Sequence, residues 1–259
     1  MMTKRLAIVA LVLSAMTPGA RVVFAQHGSV MTWSVDGVKR SGIVFAPVAP
    51  SEGGAAPLVF SFHGHGDWMQ SFQRTDMHVA WPQAMVVYFQ GFPARDGLSG
   101  WQVEKGQDGD RDLKLVDVAL ASLREKFKID DRRVYATGFS NGANFTYLLW
   151  AERPGVFAAY APVAARLRPS VHPTEPRPVF HIAGRLDATI PFAAQQEAID
   201  VAKGIDGAGE SGASCGDGCT RFDSGSATVM TWIHSGGHQY PSTTSERIAA
   251  FFRDHPRQP

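Results

Sequence analysis

Residues 133–151 read RVYATGFSNGANFTYLLWA, and this stretch decides which fold we expect. Its first five residues include aromatic and β-branched side chains and predict a strand, whereas 143–151 predicts a helix. Between them lies the pentapeptide Gly138-Phe139-Ser140-Asn141-Gly142, which has the pattern G-x-S-x-G. A strand, a sharp turn and a helix in this order expose the serine hydroxyl above a sheet, and the glycines let strand and helix approach closely. We therefore predict that Ser140 is a nucleophile and not part of a plain glycine-rich turn.

Apolar runs of strand length alternate with helical stretches along the rest of the chain. This alternation predicts an α/β fold in which helices flank a mostly parallel central sheet. The turn-prone pair Asp36-Gly37 predicts an antiparallel hairpin of 31–35 and 41–45 at one edge of that sheet. Further strands are expected at 58–62, 84–89, 157–163, 178–183 and 228–234, and helices at 112–128 and 246–252. The segment 204–226, rich in Gly and Ser, is expected to form an irregular surface excursion, and no insertion is long enough for a large lid domain.

Three aspartates, Asp108, Asp110 and Asp112, stand just before and inside the first turn of the helix predicted at 112–128. Carboxylates in this position accept free N–H groups of the first turn and complement the helix dipole. The same spacing also resembles a calcium-binding loop. We favour the capping role as the simpler interpretation.

The first 25 residues are predicted to be a signal peptide. Lys4 and Arg5 precede an apolar run, 6–16, that is too short to span a bilayer, and Val23-Phe24-Ala25 suits cleavage after Ala25. Cleavage after Ala20 and an anchor that stays attached are the alternatives. Residues 26–259 are then expected to form one secreted catalytic domain, extracellular or periplasmic, without a further membrane-crossing segment.

Composition favours a packed globular protein, since 44% of the residues are hydrophobic and 10% are aromatic. The 25 basic residues nearly balance the 24 acidic ones, which leaves a formal net charge of +1. Proteins that bind nucleic acid or an anionic membrane surface usually carry a basic excess on one face. We therefore expect neither of these partners.

The mature chain contains two cysteines, Cys215 and Cys219, separated by Gly216-Asp217-Gly218. An oxidising compartment favours a disulfide between them, and the glycines make the tight closure sterically feasible. Closing so short a loop removes little conformational entropy from the unfolded chain, and we therefore predict that the disulfide constrains only its own loop. A metal site would need further ligands, and none is evident nearby.

A serine hydroxyl is a weak nucleophile until a base accepts its proton. Asp187 follows the strand predicted at 178–183, and His238 follows the strand predicted at 228–234. Loops at the carboxyl ends of strands carry the active sites of open α/β sheets, and an acid followed by a histidine is the order expected after such a serine. We therefore predict a catalytic triad of Ser140, Asp187 and His238.

Other residues compete for two of these roles. His181 and His234 lie within predicted strands, and we interpret both as structural histidines. Asp200 falls in a helical stretch and Asp206 begins the Gly-rich segment. Either aspartate could be the acid only if the chain departed from the usual order of elements.

Acyl transfer also needs two N–H donors that face the developing oxyanion. The backbone N–H of Asn141, directly after Ser140, is one candidate. The other is expected in His63-Gly64-His65-Gly66-Asp67, which follows the strand at 58–62, and we favour the backbone N–H of His65. The alternative role for His63 is structural, as a side chain that ties this loop to neighbouring backbone.

Four segments resemble the polyhydroxybutyrate depolymerase-like esterases, a family related to feruloyl and acetylxylan esterases. They are PLVFSFHGHG at 57–66, DRRVYATGFSNG at 131–142, the segment around Asp187, and Gly236-Gly237-His238. The resemblance extends from about Ser41 to Phe252. It implies an α/β-hydrolase fold, a Ser-Asp-His triad, no metal or cofactor, and in many members secretion.

The resemblance also draws attention to Trp101 in Gly100-Trp101-Gln102. Related esterases have an aromatic residue in such a loop near the pocket, which implies substrate contact; packing in the core is the equal alternative. The commoner family form has a small residue or cysteine where His65 stands. This departure leaves the polarity of the pocket and the substrate open.

These features together predict a secreted serine carboxylic-ester hydrolase that works through an acyl-enzyme. Feruloyl-type aryl esters, short acyl esters and hydroxyalkanoate oligomers all fit as small-molecule or polymer-derived substrates. The alternatives are a peptidase, thioesterase or lactone hydrolase of the same fold and, in another class, a catalytically inactive binding module. A glycosylation sequon at Asn144 lies on the predicted helix and is expected to be buried. The sequence leaves the oligomeric state open.

Overall fold

The computed structural model of the protein describes residues 27–48, 54–223 and 225–258. The predicted signal peptide, 1–25, lies outside these residues and stays a prediction. The strands are β1 Ser29–Val35, β2 Val38–Phe45, β3 Ala56–Phe62, β4 Met85–Phe89, β5 Phe92–Pro93, β6 Ser99–Gly100, β7 Ile129–Phe139, β8 Ala159–Val163, β9 Val179–Gly184, β10 Ala213–Gly216, β11 Cys219–Phe222 and β12 Val229–His234. The helices are α1 Met69–Phe72, α2 Met77–Ala80, α3 Arg111–Lys126, α4 Asn141–Glu152, α5 Phe192–Asp206 and α6 Thr244–Asp254.

One large sheet organises the described part of the chain. Its ten strands follow the order β1-β2-β4-β3-β7-β8-β9-β12-β11-β10, and β5 pairs separately with β6. The six central strands, from β4 to β12, are parallel. Antiparallel pairs complete both edges. This topology confirms the predicted α/β fold with a mostly parallel sheet.

Strand β3 shows why the apolar runs of this sequence are continuous and do not alternate with polar residues. Leu58, Phe60 and Phe62 belong to an apolar cluster that includes residues of α3, α4 and α5. Val59, on the opposite face, belongs to a second cluster that includes residues of α1, α2 and α6. A strand covered by helices on both faces has no solvent side, so both faces must be apolar.

The hairpin predicted around Asp36-Gly37 is confirmed as β1 and β2. Val35 pairs with Val38 across a two-residue turn. Both turn residues have positive φ, 49° at Asp36 and 78° at Gly37. Two left-handed residues give a turn whose twist matches that of the paired strands.

The prediction of an irregular excursion at 204–226 is wrong. Helix α5 continues to Asp206, and β10 and β11 form a hairpin that extends the sheet beyond β12. The predicted disulfide between Cys215 and Cys219 is present and joins the two strands of this hairpin. Strand β10 is exposed throughout. Its sequence therefore carries no hydrophobic alternation that would have identified it as a strand.

The start of α3 is capped differently from the prediction. The side chain of Asp110 makes no capping hydrogen bond. Instead, Gln102 Oε1 accepts the N–H groups of Asp112 and Leu113 at 2.9 and 3.2 Å. The fully buried Asp112 carboxylate lies 2.7 Å from Arg40 and also accepts the Gln102 N–H. Asp112 thus pairs with a buried arginine and fixes the loop before α3, and it does not cap the helix.

No helix among residues 27–48, 54–223 and 225–258 is long and apolar enough to cross a membrane. The longest, α3, has 16 residues, and charged side chains are spaced along it. Its apolar residues are instead buried against the sheet.

Candidate active site

Ser140 occupies the sharp turn between β7 and α4. Its φ of 54° and ψ of −115° form a conformation that L-residues rarely adopt. A Cβ at Gly138 would lie 2.5 Å from the backbone of Gly142. A Cβ at Gly142 would collide with the carbonyl oxygens of Phe62 and His63. Both glycines are therefore needed for β7, α4 and the end of β3 to approach so closely.

Ser140, His238 and Asp187 lie together at the carboxyl ends of β7, β12 and β9. Ser140 Oγ is 2.9 Å from His238 Nε2, and His238 Nδ1 is 2.8 Å from Asp187 Oδ2. A carboxylate only accepts hydrogen bonds, so Nδ1 carries the hydrogen and donates it to Asp187. Nε2 is then free to accept the Ser140 hydroxyl. An imidazole placed in this way can take the serine proton, and the carboxylate can stabilise the resulting imidazolium.

The carboxylate of Asp187 is held by several donors. Its side chain is fully buried. Oδ1 accepts the N–H groups of Thr189 and Ile190 at 2.9 and 2.8 Å, and Oδ2 accepts Gln195 Nε2 at 3.0 Å in addition to His238. A buried carboxylate requires such partners to offset its lost hydration. By contrast, 19% of the His238 side chain is exposed, so this end of the site is accessible from solvent.

The loop that follows β3 packs against the turn containing Ser140. A Cβ at Gly64 would lie 3.1 Å from the Phe139 ring and 3.6 Å from the Ser140 Cβ. The backbone next to Gly64, including that of His65, is therefore near the nucleophile. The His65 imidazole is 40% exposed, and its Nε2 lies 2.7 Å from Asp96. The structure thus brings the predicted loop to Ser140 and turns the His65 ring toward Asp96.

Backbone hydrogen bonds hold this loop in shape. Gly66, with φ 75°, donates its N–H to the Ser99 carbonyl at 2.7 Å. Asp67 donates its N–H to the Gly64 carbonyl at 3.2 Å. The backbone carbonyl of Asp67 accepts a hydrogen bond from the Ser99 hydroxyl. The short strand β6 thus supports the loop through Ser99.

His63 has the structural role that the sequence offered as its alternative. It is fully buried, and its Nε2 accepts the Gly91 N–H at 2.9 Å. Nδ1 therefore carries the hydrogen and donates it to the Gly64 carbonyl, 2.7 Å away. Burial lowers the pKa of His63 below its ordinary value, which keeps the ring neutral.

Trp101 lies in the core. Only 3% of it is exposed, and its Nε1 donates to the His63 carbonyl at 2.8 Å. Its ring stacks on Phe145, with centroids 5.7 Å apart, and meets Phe62 edge-on at 5.1 Å. Of the two roles considered for Trp101, core packing describes its position, and the exposed area available for substrate contact is very small.

The rival histidines lie apart from Ser140. His181 is fully buried in β9, where its Nδ1 is 2.7 Å from the Tyr147 hydroxyl. His234 ends β12, and its Nδ1 accepts the Gly236 N–H at 3.1 Å. Burial lowers the pKa of both, to about 4 for His181. Both therefore have the structural character expected of them.

The rival aspartates are on α5, away from His238. Asp200 is exposed and accepts a hydrogen bond from Gln196 at 2.9 Å. Asp206 is fully buried and accepts the backbone N–H of Arg177 at 2.9 Å. Burial raises the pKa of Asp206 to about 7. Of Asp187, Asp200 and Asp206, only Asp187 is hydrogen-bonded to His238.

A cavity of about 760 Å³ lies beside the triad and is separated from it by Phe139, whose ring centroid is 4.9 Å from that of His238. Its wall contains Phe139, directly before Ser140, and Tyr240, shortly after His238. The other lining side chains are mostly polar or charged, including Asp67, Ser71, Arg74, Asp76, Ser242 and Glu246. A cavity of this volume accommodates a small organic ligand, and its polar wall suits one that carries hydroxyl groups.

Sequence reasoning missed Gln195, the side chain that donates to Asp187. Gln195 is fully buried on α5 together with Ala198, Ile199 and Ala202. A glutamine at a buried position of a mostly apolar helix face is the signal that could have drawn attention to it. No group of three or more His, Cys, Asp and Glu side chains that could hold a metal ion occurs in the described ranges.

No family model matches the sequence. The chain is 30% identical over 168 residues to the bifunctional acetylxylan esterase/xylanase XynS20E of Neocallimastix patriciarum; the match covers 60% of this chain and 22% of that protein. It is 29% identical over 240 residues to the putative esterase NocK of Nocardia uniformis subsp. tsuyamanensis, covering 77% and 70% of the two chains. The structure matches a CE1 ferulic acid esterase, AmCE1/Fae1A of Anaeromyces mucronatus, with a TM-score of 0.62 and 13% identity over 92% of this chain and 93% of that one.

The chain spans about a fifth of the length of XynS20E and about two thirds of NocK. The sequence relatives confirm the resemblance to the acetylxylan and feruloyl group of esterases, whereas its polyhydroxybutyrate depolymerase part stays a prediction. The structural match shows the fold. The protein is a homologue of esterases and has the α/β-hydrolase fold.

Proposed function

We propose that this protein hydrolyses carboxylic esters, with Ser140 as nucleophile, His238 as general base and acid, and Asp187 as the residue that orients His238. The observation that carries the proposal is the pair of hydrogen bonds from Ser140 Oγ to His238 Nε2 and from His238 Nδ1 to Asp187. The esterase relatives support the reaction type.

In the acylation step, the Ser140 Oγ attacks the ester carbonyl carbon as His238 Nε2 takes its proton. The tetrahedral intermediate collapses when the protonated His238 gives this proton to the leaving alcohol, and the acyl-enzyme remains. A water molecule then attacks the acyl carbon as His238 takes its proton, and the acid is released as His238 returns this proton to Ser140 Oγ. Asp187 stabilises the imidazolium in both steps and does not itself take a proton.

The negative oxygen of each intermediate needs preorganised donors. We propose the backbone N–H groups of Asn141 and His65 for this role. Asn141 is the first residue of α4, where N–H groups lack helical partners and the helix dipole is positive. The packing of Gly64 against Ser140 supports the contribution of the His65 loop.

For the substrate, we propose an acetyl or feruloyl-type ester of a polar, hydroxyl-bearing alcohol. The relative XynS20E is an acetylxylan esterase/xylanase, which supports an acetyl ester of a polysaccharide. The ferulic acid esterase of the same fold supports an aryl acyl group. The polar cavity beside the triad supports an alcohol with several hydroxyl groups.

The test is hydrolysis of an ester panel by the purified protein and by Ser140→Ala. The panel holds p-nitrophenyl acetate, p-nitrophenyl butyrate, methyl ferulate, acetylated xylan and a hydroxybutyrate trimer. We expect turnover by the protein and a loss of about a million-fold in kcat for Ser140→Ala. Ser170→Ala removes an exposed serine that bonds Glu104 and is the matched control, which should hydrolyse esters as the unmodified protein does.

Each outcome of the panel has a definite meaning. Preference for acetylated xylan or methyl ferulate supports the proposed substrate, whereas preference for the hydroxybutyrate trimer contradicts it and leaves the ester mechanism intact. Turnover that persists in Ser140→Ala contradicts the nucleophile. No ester turnover by the folded protein contradicts the reaction itself and directs attention to thioesters, lactones or peptides.

We also propose that the protein is exported, with 1–25 removed as a signal peptide. The disulfide between Cys215 and Cys219 supports an oxidising compartment. The mature N-terminus, determined by mass spectrometry after expression with export, should begin after Ala25. An intact N-terminus on protein retained in the cytoplasm contradicts this proposal.

A further inference from the structure

We propose that Gln195 is a positioning residue of the triad, which holds the carboxylate of Asp187 toward His238. This inference deepens the proposed function and rests on it, because Asp187 is the proposed acid. Both side chains are almost completely shielded from solvent, with exposures of 0% for Gln195 and 5% for Asp187.

Two acceptors near the triad fix the direction of the Gln195 amide. Its Nε2 lies 3.0 Å from Asp187 Oδ2 and 2.7 Å from the Ile190 carbonyl. Both partners are acceptors, so the two hydrogens of the amide nitrogen are used by them. A flipped amide would place Oε1 against the carboxylate and would lose both bonds. The functional orientation therefore leaves Oε1 facing away from Asp187.

The carbonyl oxygen of the amide does not determine this direction. Oε1 of Gln195 is buried and has no hydrogen-bond partner in the described ranges. A buried oxygen left unpaired is unfavourable, so the orientation is maintained by the two acceptors bonded to Nε2.

The hydrogen bond from Gln195 joins a helix to the segment that carries the triad acid. Gln195 is on α5. Asp187 lies in the segment between β9 and α5. The Gln195 hydrogen bond holds Oδ2, the oxygen that also accepts from His238. Without it, Asp187 would keep its backbone donors at Oδ1 but could rotate Oδ2 away from the imidazole.

The experiment compares Gln195→Leu with Gln196→Leu, the same change at the next residue of α5, where the glutamine bonds the exposed Asp200. For Gln195→Leu we expect kcat to fall about 10-fold, with KM changed less than about 2-fold, because the lost bond orients a catalytic group and does not touch substrate. Gln196→Leu should match the unmodified protein in both quantities.

Gln195→Met is a second variant for the same test, so a decision is possible even if Gln195→Leu fails to fold. Its unbranched side chain fills a similar space but cannot donate to Asp187, and we expect a similar fall in kcat of about 10-fold with KM unchanged. All rates are expressed per folded molecule, measured by circular dichroism.

The outcomes separate this proposal from the proposed function. If the unmodified protein hydrolyses p-nitrophenyl acetate and Ser140→Ala does not, the triad assignment stands. A Gln195→Leu or Gln195→Met protein that is less stable, but has the kcat of the unmodified protein, then overturns only the positioning role. Inactive unmodified protein contradicts the proposed function instead.

Discussion

Asn141 binds both backbone polar groups of Trp101: its Oδ1 accepts the Trp101 N–H at 2.7 Å, and its Nδ2 donates to the Trp101 carbonyl at 3.1 Å. Trp101 in turn donates its indole N–H to the His63 carbonyl. The side chain after the proposed nucleophile therefore fastens a segment that supports the His65 loop. Asn141 thus contributes twice, with its backbone N–H as a proposed oxyanion donor and with its side chain as the anchor of that loop.

Replacing Asn141 by Ala should separate these contributions. The backbone N–H stays, but the buried N–H and carbonyl of Trp101 lose their partner, so the free energy of unfolding should fall by about 1–3 kcal/mol. We expect kcat for p-nitrophenyl acetate to fall about 10-fold, because the loop is less well positioned. Asn144→Ala is the control: it removes a buried amide of the same helix that accepts the Arg166 N–H, and it should lower stability alone. Equal kcat values in the two variants would falsify the anchoring role.

Asp187→Asn should lower kcat by about 10⁴-fold while the fold is retained. The amide can donate to His238 Nδ1 and so favours the imidazole tautomer whose Nε2 carries a hydrogen and cannot accept the serine proton. Steady-state kinetics measure the effect, and Asp200→Asn, an exposed aspartate of α5, serves as control. A loss of less than 10-fold would show that Asp187 does not orient the base.

His65→Ala should leave most of the activity, with kcat reduced by less than about 5-fold. The proposed donor is the backbone N–H, which alanine keeps, and the imidazole is 40% exposed beside Asp96. The measurement is kcat on p-nitrophenyl acetate and on methyl ferulate. A loss as large as that of Asp187→Asn on both substrates would contradict the backbone role and point to chemistry by the ring.

Asp206 should make the protein less stable as the pH rises through neutrality. Burial raises its pKa from an ordinary 3.8 to about 7. Between these values the folded state binds a proton that the unfolded chain has lost, so its stabilising effect is present at low pH and disappears above about pH 7. In urea unfolding, the contribution of Asp206 to the free energy of unfolding should be lower at pH 8 than at pH 5 by roughly 2 kcal/mol.

The Asp206→Asn variant provides the comparison for this pH effect. It cannot ionise, so the difference in the free energy of unfolding between pH 5 and pH 8 should shrink relative to the unmodified protein. Asp200→Asn on the same helix should keep the full difference, since Asp200 is exposed. An unchanged difference in Asp206→Asn would mean that another group causes the pH dependence.

The disulfide should matter little for the whole fold. Cys215 and Cys219 are four residues apart, and a loop this short restricts the unfolded chain only slightly. The double variant Cys215→Ser/Cys219→Ser should lose no more than about 2 kcal/mol in free energy of unfolding, measured with urea, and should keep its esterase activity. Global unfolding of the double variant would show that the β10–β11 hairpin is essential to the sheet.

Much of the fold could be predicted because it depends on local patterns. A buried parallel strand must be apolar on both faces, so runs such as 58–62 were recognisable. The β10–β11 hairpin was missed because its exposed strand carries no such pattern. The cap of α3 was also missed. The nearby aspartates were expected to accept the first N–H groups of the helix, whereas the acceptor is Gln102, nine residues before Arg111. Capping by a distant side chain follows from loop geometry, which composition does not encode.

The sequence by itself determined the α/β class, the elbow at Ser140 and the pairing of Cys215 with Cys219, because each depends on residues that are neighbours along the chain. Tertiary structure decided which distant groups meet. It brought His238 to Ser140 across 98 residues, placed Trp101 in the core and set Gln195 behind Asp187. Hydrophobic periodicity specifies which face of an element is buried. The partner of a buried polar group, by contrast, is set by how those faces pack, because each such group must find a donor or acceptor within hydrogen-bond reach.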